Sequence, residues 1–526
     1  MTIIQNEKGS KNNKILFISP HIETAFGVRY LSRHLLENGF EPTICSVHKW
    51  PKSPNLPKII TDKEIELLKE FVQKEKYLFI GISILSSYAL SEVYRINDML
   101  KNVLSVPVVW GGVCPSLLPE KCAKHCDIVI KGEGEIPIVQ LANAFQNGTD
   151  WKKIPGICFY DEHGQYIENE VAPLIENLDE IGYPLLSSDN IYNIDNDNIT
   201  KEDELLKTDY YEIAASRGCF FSCAYCSSSK IRNIYKGKGK YARIRSVDNV
   251  IGELKEAKKK NPNIKEIRFW DEIFIVDKNW LKEFSEKYKK EIDLPFTIWA
   301  HPYLVSHDTI KPLYDAGLRR ISLGFQSGSP NVRNNIFKRP ESNEKIIEAS
   351  RILTSYKGLE IYYDLIICHV LETIGELKET FDLCLKLKQP FGLQIRGLSY
   401  LPKTDIIETI IDRSIYTKEE MEEIFDSPFE KHFIQWNGPS ADYYQDEPKK
   451  IVWADLIYLT QFIKLRKKVV KLSRHPYTNY QKIKALKNKM EQLSYEEREY
   501  AKLHITGLRD IIDKIRNIFH RYSKGT

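Results

Sequence analysis

Short apolar runs alternate with helix-length segments along much of this chain, and this alternation constrains its fold more than any other feature. In the first part of the chain the runs occupy residues 15–18, 43–47, 78–85, 106–110 and 127–131. Segments with helical spacing, such as residues 62–74 and 86–104, separate most of them. Continuous apolar runs are typical of strands buried on both faces. The pattern therefore predicts an α/β domain with a doubly wound parallel sheet over residues 14–150.

The alternation resumes after residue 205, and the strand-like run then occurs six times. These runs occupy residues 211–216, 265–270, 295–300, 318–324, 359–367 and 393–399. Amphipathic stretches lie between them at residues 247–260, 278–291, 343–355 and 374–387. Six consecutive βα units predict a partial (β/α)6 barrel over residues 205–401. Because barrel enzymes place their chemistry at the carboxyl ends of the strands, we expect the functional site there.

The other segments carry weaker patterns. Residues 156–160 and 164–167 read as a β-hairpin, and the Asn-, Asp-, Ser- and Pro-rich stretch after it reads as a connection, so residues 151–204 are predicted to be a hairpin and linker. Residues 1–13 are polar and are predicted to be a flexible tail. Residues 402–526 are predicted to form a helical C-terminal domain that covers the active site.

Three cysteines follow the first strand of the predicted barrel directly. Cys219, Cys223 and Cys226 have the spacing Cys-x3-Cys-x2-Cys and supply three thiolates with no fourth. Iron–sulfur clusters normally take four cysteines, so a cluster held by three leaves one iron open to a ligand that is not protein. Structural zinc also needs four ligands. The ten cysteines and the absence of a secretory leader indicate a reducing compartment rather than disulfides. An open iron–sulfur cluster is the interpretation that we favour.

Composition sets wider limits. The formal net charge of +4 is small for 526 residues, so charge alone does not predict nucleic-acid binding. No apolar run is long enough to cross a membrane, and we expect a cytoplasmic protein.

Several residues in the first domain allow more than one interpretation. Gly111-Gly112 and Gly132 close two predicted strands, where glycine permits either a tight turn or the close approach of a ligand. Cys114, Cys122 and Cys126 lie near His125, but we interpret them as buried small hydrophobes rather than metal ligands. We interpret the histidines of this domain, His21, His34 and His48, as structural in the same way.

With its three cysteines in this place, the region of residues 205–400 resembles the radical S-adenosylmethionine (SAM) superfamily. Members hold a 4Fe–4S cluster on three cysteines, and the fourth iron binds SAM. An electron from the cluster cleaves SAM and gives a 5′-deoxyadenosyl radical, which abstracts hydrogen from unreactive carbon. The resemblance implies that Cys219, Cys223 and Cys226 are the cluster ligands. It also implies that Tyr225 packs near the adenine of SAM.

Two further motifs of the superfamily have counterparts in this chain. Asp271 and Glu272 match the acidic element that meets the amino group of SAM. Residues 323–329 and 338–339 resemble the pattern Gly-Glu/Gln-Ser-Gly-Ser followed by Lys-Arg, with one residue added after the glycine. The resemblance implies that Gln326, Ser327 and Arg339 contact SAM.

One segment departs from the superfamily. At the exit of the fifth strand, Cys368 stands where relatives have glycine, and Val370-Leu371 stand where they have Pro-Gly. We expect this exit to be bulkier, which places a backbone contact to SAM there in doubt.

The first domain resembles the Rossmann-like cobalamin-binding domain that often precedes a radical SAM barrel. The resemblance rests on the glycines near residues 27 and 39 and on the two glycine pairs after the fourth and fifth strands. It implies that Gly111, Gly112, Gly132 and Glu133 contact cobalamin. The Asp-x-His-x-x-Gly motif that supplies a cobalt ligand in other cobalamin proteins is absent.

Together these resemblances imply an enzyme that uses a 4Fe–4S cluster, SAM and cobalamin to methylate an unactivated carbon of a specialised metabolite. A flavodoxin or ferredoxin would supply electrons, and the substrate would be a small molecule, a peptide or a lipid. Two alternatives stay open at this point. One is radical chemistry without methyl transfer, such as ring contraction, cyclisation or epimerisation. The other is a non-catalytic iron–sulfur or zinc protein.

Overall fold

The computed structural model describes residues 12–21, 25–48, 59–195, 198–274, 277–427 and 448–493. Most of the predicted N-terminal tail, residues 1–11, and the end of the predicted C-terminal domain, residues 494–526, lie outside these ranges. No helix among the described residues is both long and apolar enough to span a membrane.

The first region folds around one nine-stranded sheet, and all five predicted strands are present in it. Its strands are β1 (Lys14–Pro20), β2 (Glu41–Val47), β3 (Ile80–Ser83), β4 (Val108–Gly111), β5 (Ile128–Ile130), β6 (Ile157–Tyr160), β7 (Tyr166–Glu168), β8 (Ile191–Asp195) and β9 (Asn198–Lys201). Their spatial order is β7-β6-β5-β4-β3-β1-β2-β8-β9. Strands β1 to β5 pair in parallel, which confirms the predicted doubly wound sheet.

Helices cover both faces of this sheet. They are α1 (Phe26–Glu37), α2 (Asp62–Val72), α3 (Leu90–Val103), α4 (Val113–Leu117), α5 (Pro119–Ala123) and α6 (Glu135–Asn147). The start of α2 shows why the sequence forms a helix there. Thr61 and Glu64 make a reciprocal capping box, in which each side chain accepts a hydrogen bond from the backbone of the other residue.

The segment that the sequence predicted as a connection also belongs to the sheet. Strand β8 pairs in parallel with β2, and β9 folds back against β8. Sequence reasoning missed both strands because Ile191 and Ile194 are the only large aliphatic residues of β8. An edge position buries few side chains, so it leaves little apolar pattern to detect. The predicted hairpin, β6–β7, extends the opposite edge and is confirmed.

The second region contains all six predicted barrel strands. They are β10 (Tyr210–Ile213), β13 (Glu266–Phe269), β14 (Phe296–Ala300), β15 (Leu318–Gln326), β16 (Glu360–Ile366) and β17 (Gly392–Arg396), paired in parallel in that order. Along the chain, a separate two-stranded antiparallel ribbon comes between β10 and β13. It consists of β11 (Ser216–Arg217) and β12 (Arg243–Ile244). Their helices are α7 (Ser227–Ile234), α8 (Val247–Lys260), α9 (Lys278–Glu291), α10 (His307–Ala316), α11 (Asn343–Thr354) and α12 (Ile374–Lys386). The architecture is the predicted partial barrel.

The C-terminal helices divide into two groups. They are α13 (Asp405–Asp412), α14 (Lys418–Asp426), α15 (Pro448–Leu459), α16 (Arg466–Ser473) and α17 (Tyr480–Glu491). Helix α13 contacts the loop that carries the three cysteines, called the cysteine loop, because the N–H of Ile406 donates to the carbonyl of Ala224. Helix α14 contacts the first domain, because Asp426 forms an ion pair with Lys121. Helix α15 packs on the barrel core through residues such as Trp453 and Leu456. Arg466 donates to the carbonyl of Cys384 in the last turn of α12 (2.8 Å) and so caps that helix.

Candidate functional site

The three cysteines lie in one loop between β11 and α7. Cys223 is buried, whereas Cys219 and Cys226 are half-buried. Their sulfur atoms do not all lie within 4.8 Å of one another, while Zn–S bonds of about 2.3 Å would hold thiolates roughly 4 Å apart. Burial, followed by the charges of Glu272 and the other cysteines, raises the pKa of Cys219 to about 12 and that of Cys226 to about 11. The spacing fits a cluster of several irons better than a single ion.

The cysteine loop is fixed through its backbone and its aromatic side chains. The N–H of Ala224 donates to the carbonyl of Phe337 (2.9 Å), and the carbonyl of Ala224 accepts from the N–H of Ile406 (2.9 Å). The ring of Phe221 stacks on the imidazole of His301 with 3.9 Å between the ring centroids. The barrel and α13 therefore hold the loop in place from two sides.

Arg339 lies against the cysteine loop, where the resemblance places a SAM-binding residue. Its Nη1 lies 3.6 Å from the sulfur of Cys223 and donates to the hydroxyl of Tyr225 (3.1 Å). Its Nη2 donates to the carbonyl of Gly324 (2.5 Å) at the end of β15. The guanidinium is buried, so its charge acts at short range on the cysteine thiolates and on whatever binds beside them.

Glu341 belongs to this site, and sequence reasoning missed it. One carboxylate oxygen accepts from Nε of Arg339 (2.6 Å), and the other lies 3.3 Å from Nε2 of His301. Nδ1 of His301 accepts from the N–H of Tyr303 (3.2 Å), so a neutral imidazole carries its proton on Nε2, the nitrogen nearer to Glu341. Glu341 therefore orients Arg339 and connects it to His301. Its position two residues after Arg339 was the available signal.

The structure separates the two predicted carboxylates, Asp271 and Glu272. Asp271 is buried and accepts from the N–H of Ala215 (3.1 Å) and from the hydroxyl of Ser216, which joins the end of β13 to the end of β10. Burial raises the pKa of Asp271 to about 6. Glu272 accepts from the Ser228 hydroxyl (2.6 Å) and lines a cavity at the barrel mouth. Glu272 is thus the one of the two that faces a ligand space.

Gln326 and Ser327 also lie in different environments. Gln326 ends β15 with a φ of 64°, a left-handed conformation that is uncommon outside glycine. The hydroxyl of Ser327 is buried, lies 3.2 Å from that of Thr380 on α12, and accepts from the N–H of Ser329 (3.1 Å). The structure therefore places the Ser327 side chain against α12.

The departure after the fifth strand has a structural counterpart. Cys368 has a φ of 59°, which is the conformation that the glycine of relatives adopts without strain. Its N–H donates to the carboxyl of Glu372 (2.6 Å). Burial raises the pKa of Glu372 to about 8, so this carboxyl is largely protonated at neutral pH. The hydrogen bond from Glu372 therefore helps to hold Cys368 in this conformation, although cysteine stands where relatives have glycine.

Two cavities adjoin the carboxyl ends of both sheets. The first, of about 310 Å³, is called the sheet cavity here and is bounded by β1, β3, β4 and β5 together with Ala214 and Arg217 of the second region. The second, of about 350 Å³, is called the mouth cavity and includes Gly218, Trp270 and Glu272. Both cavities are lined by Gly112, Gly132, Glu133 and Arg217. The two cavities are therefore adjacent, and together they are called the crevice, which extends from the first sheet to the barrel mouth.

The predicted glycines act in two ways. A Cβ at Gly112 would lie 2.6 Å from the carbonyl oxygen of Ile84, and one at Gly132 would overlap the Tyr235 hydroxyl. Both have positive φ values, 107° and 88°, so they are required by the turns themselves. A Cβ at Gly111 would meet nothing closer than 3.9 Å, and one at Gly27 nothing within 4 Å. These last two glycines leave open space in the sheet cavity.

Glu133 forms ion pairs with two arginines on the other side of the crevice. Its carboxylate is hydrogen-bonded by Arg243 and lies 3.7 Å from Arg217, while Arg217 also bonds Glu135 (2.6 Å). These ion pairs join the first sheet to the ribbon beside the cysteine loop. Glu133 therefore fixes the geometry of the crevice.

The residues that line the sheet cavity fit cobalamin. The lining is largely apolar and includes glycine at positions 27, 81, 111, 112, 132 and 134, which suits a bulky ligand lying over the carboxyl ends of parallel strands. Within the described part of the chain, no histidine lines either cavity. The absence of the Asp-x-His-x-x-Gly motif agrees with this lining.

Comparison with known proteins gives the same two units. Residues 213–384 match the radical SAM superfamily, and residues 17–142 match the B12 binding domain. An uncharacterized methyltransferase of Pyrococcus horikoshii is 30% identical over 59% of this chain and 64% of its own length. An anaerobic magnesium-protoporphyrin IX monomethyl ester cyclase of Synechocystis is 28% identical over 38% of this chain and 37% of its own length. The chain thus spans less than two thirds of either relative.

A solved structure supports the fold. The radical SAM methyltransferase TsrM from Kitasatospora setae superposes with a TM-score of 0.62 at 17% identity, over 76% of each chain. At that identity the likeness establishes the shared architecture. The matched ranges therefore give this chain a B12 binding domain at residues 17–142 and, after it, a radical SAM domain at residues 213–384.

Proposed function

We propose that this protein is a cobalamin-dependent radical SAM methyltransferase that acts on an unactivated carbon of a specialised metabolite. The observation that carries the proposal is the single crevice. The sheet cavity, which fits cobalamin, and the mouth cavity, beside the cysteine loop, share four lining residues. Two cofactors bound at the two sheet edges would therefore face the same substrate.

The cysteine loop provides the first half of the function. Cys219, Cys223 and Cys226 would hold the cluster, which when bound supplies the electron that cleaves SAM. Arg339 stabilises negative charge beside Cys223, and Glu341 fixes the direction of its guanidinium. The hydroxyl of Tyr225 accepts from the same arginine, and its ring packs on that of Phe337 with 4.9 Å between the centroids. Glu272 offers a carboxylate to the ammonium group of SAM from the mouth cavity.

The first sheet provides the second half. Cobalamin, when bound over Gly27 and Gly111, supplies a methyl group to the crevice. The described residues that line the sheet cavity include no histidine, so they would hold cobalamin through glycine backbone and apolar side chains. The ion pairs of Glu133 with Arg217 and Arg243 hold the two sheet edges together, so the distance between the cofactors is set by the protein.

An aromatic pair at the barrel mouth supports an organic substrate. Trp270 and Trp299 stack with 4.4 Å between ring centroids, and Trp270 is 46% exposed although it is large and apolar. An exposed indole that lines a cavity offers a flat surface for binding. The substrate in this proposal is a small molecule, a peptide or a lipid, a flavodoxin or ferredoxin supplies electrons, and the reaction takes place in the cytoplasm.

The test uses the full chain, expressed with cobalamin and reconstituted anaerobically with iron and sulfide. We expect about one cobalamin and one 4Fe–4S cluster per chain, measured by absorbance and iron analysis. With SAM, a reductant and a substrate, methyl transfer yields S-adenosylhomocysteine together with 5′-deoxyadenosine. Cys223→Ala is expected to abolish 5′-deoxyadenosine formation while cobalamin remains bound.

The by-products distinguish the alternatives. Formation of 5′-deoxyadenosine without S-adenosylhomocysteine, in the presence of a substrate that is consumed, would show radical chemistry of the non-methylating kind. Purified protein without cobalamin, even when the cofactor is supplied, would overturn the proposal. Cys384→Ala is a matched control, since this buried cysteine lies on α12 and should leave both by-products unchanged.

A further inference from the structure

A cluster of metal-ligand side chains lies in the first domain, apart from the crevice. One ring nitrogen of His48, one carboxylate oxygen of Glu64 and one of Asp195 lie within 4.8 Å of one another. The three residues come from separate elements: the end of β2, the first turn of α2 and the end of β8. His48 and Glu64 are both buried, and Asp195 is half-buried. None of them lines the sheet cavity or the mouth cavity.

His48 and Glu64 are already in direct contact. Nδ1 of His48 lies 3.1 Å and 3.0 Å from the two carboxylate oxygens of Glu64, which is a hydrogen-bond distance. Two ligand atoms bound to one tetrahedral ion at about 2.0–2.2 Å lie roughly 3.3–3.6 Å apart, so a small displacement of the two side chains would admit an ion between them. The other ring nitrogen, Nε2, is buried and accepts or donates no hydrogen bond among the described residues.

A second histidine adjoins this group. The ring of His21, which follows β1, lies edge-on to the His48 ring with 5.4 Å between centroids. The two imidazoles therefore pack against each other where β1 and β2 end.

The backbone at both histidines is strained. His21 has a φ of 61° and His48 a φ of 62°, a conformation that is uncommon for residues other than glycine. Two adjacent strands, β1 and β2, therefore each end on a histidine held in the left-handed region. Strained residues of this kind cluster at functional sites, where surrounding interactions hold them.

We propose that His48, Glu64 and Asp195 bind one divalent first-row transition-metal ion such as zinc, with the ring of His21 packed against that of His48. Imidazole nitrogen and carboxylate oxygen are a donor set that suits this class of ion. The ion would join β2, α2 and β8, and so fasten the edge of the sheet that lies on the far side of β1 from the cobalamin cavity. The site is independent of the proposed function, since it shares no residue with the crevice.

The test uses the full chain with its iron–sulfur cluster assembled, so that the three cluster cysteines are not available to zinc. The protein is treated with EDTA, desalted and titrated with zinc chloride, and bound zinc is measured by elemental analysis beside iron and cobalamin. We expect about one zinc per chain and a rise in the unfolding temperature on zinc addition. In Asp195→Asn and His48→Ala the affinity for zinc should fall at least about tenfold, while iron and cobalamin contents stay unchanged.

His163→Ala is the matched control, because His163 lies exposed in the turn of the β6–β7 hairpin and should leave zinc binding unchanged. Asp195→Asn guards against misfolding of the histidine variant, since it removes one ligand oxygen and keeps the side-chain shape. Two results would overturn the proposal: a wild-type chain that binds well below one zinc, or variants at positions 48 and 195 that bind zinc as the wild type does.

Discussion

The two edges that face the crevice are built on opposite principles. At the barrel mouth the residues are charged and interconnected, and Arg339 alone reaches Cys223, Tyr225, Gly324 and Glu341. At the first sheet the edge is defined by side chains that are missing, as at Gly27 and Gly111. A small reactive group is held by directed contacts, whereas a large ligand needs room. Single substitutions should therefore damage the two edges in different ways: by removing a contact at one and by filling space at the other.

The largest effect is expected at the cysteine loop. Cys223→Ala removes one of three thiolates from a cluster that has none to spare, so SAM cleavage should fall to the background level, a loss of at least about a thousandfold. Quantification of 5′-deoxyadenosine measures this. Cobalamin binding should be unchanged, because no contact of the sheet cavity involves this residue. Loss of both cofactors in this variant would show that the two edges are not separable.

The second largest effect is expected on the stability of the first domain, where a buried ion pair anchors helix α1. Arg29 of α1 forms two hydrogen bonds with Asp203 (2.8 and 2.7 Å), and both side chains are almost fully buried. Asp203→Ala leaves the guanidinium without its partner, so the free energy of unfolding should fall by about 3–5 kcal/mol. Urea denaturation measures this change. Asp209→Ala is the control: its side chain is exposed, and its loss should cost less than about 0.5 kcal/mol.

The buried acid beneath the cysteine loop predicts a pH dependence. The pKa of Asp271 rises to about 6 in the folded protein, so the native state holds a proton that the unfolded chain releases at lower pH. The folded state then loses stability as pH rises from about 4 to 6, by roughly 3 kcal/mol if the full shift applies. Asp271→Asn should flatten this slope in denaturation measured at pH 4, 5, 6 and 7. An unchanged slope would mean that other groups cause it.

The smallest effect is expected from filling space. Gly27→Leu places a side chain in the sheet cavity without meeting protein atoms near its Cβ. Cobalamin affinity should fall about tenfold or more, because overpacking a fitted site costs roughly 1–3 kcal/mol. Equilibrium binding measured by absorbance gives this value, and the cluster content should not change. Gly27→Ala provides the graded control, with a weaker loss and a slightly more stable helix α1.

Much of the architecture could be predicted from periodicity because buried parallel strands carry continuous apolar runs. All eleven strands predicted for the two parallel sheets were found. Strands β8 and β9 could not be predicted, since β8 has only two large aliphatic residues, Ile191 and Ile194, and β9, at the edge of the sheet, buries none of its side chains. The pairing of β8 with β2, and of β9 with β8, depends on tertiary contacts that no local pattern records.

The site was predictable to the extent that its residues follow a motif. The loop of the three cysteines follows from their spacing along the chain, and Arg339 was implied by the resemblance of residues 338–339 to a superfamily motif. Glu341 and the separate roles of Asp271 and Glu272 do not, because they depend on which way a side chain turns after its strand ends. For Gly112 and Gly132 the sequence allowed either a tight turn or the approach of a ligand. The atoms around them in the structure show that the turns require glycine.

The contacts of α14 have a consequence for the order of assembly during synthesis. Lys121, on the first domain, pairs with Glu422 (3.1 Å) and Asp426 (2.8 Å) of α14, about three hundred residues later in the chain. N-terminal domains fold first as a chain leaves the ribosome. The first sheet can close once β9 has emerged, but these pairs must wait until α14 has been translated. The contacts of α14 with the first domain therefore form only after the barrel has been translated, later than the ion pairs of Glu133 with Arg217 and Arg243 can form.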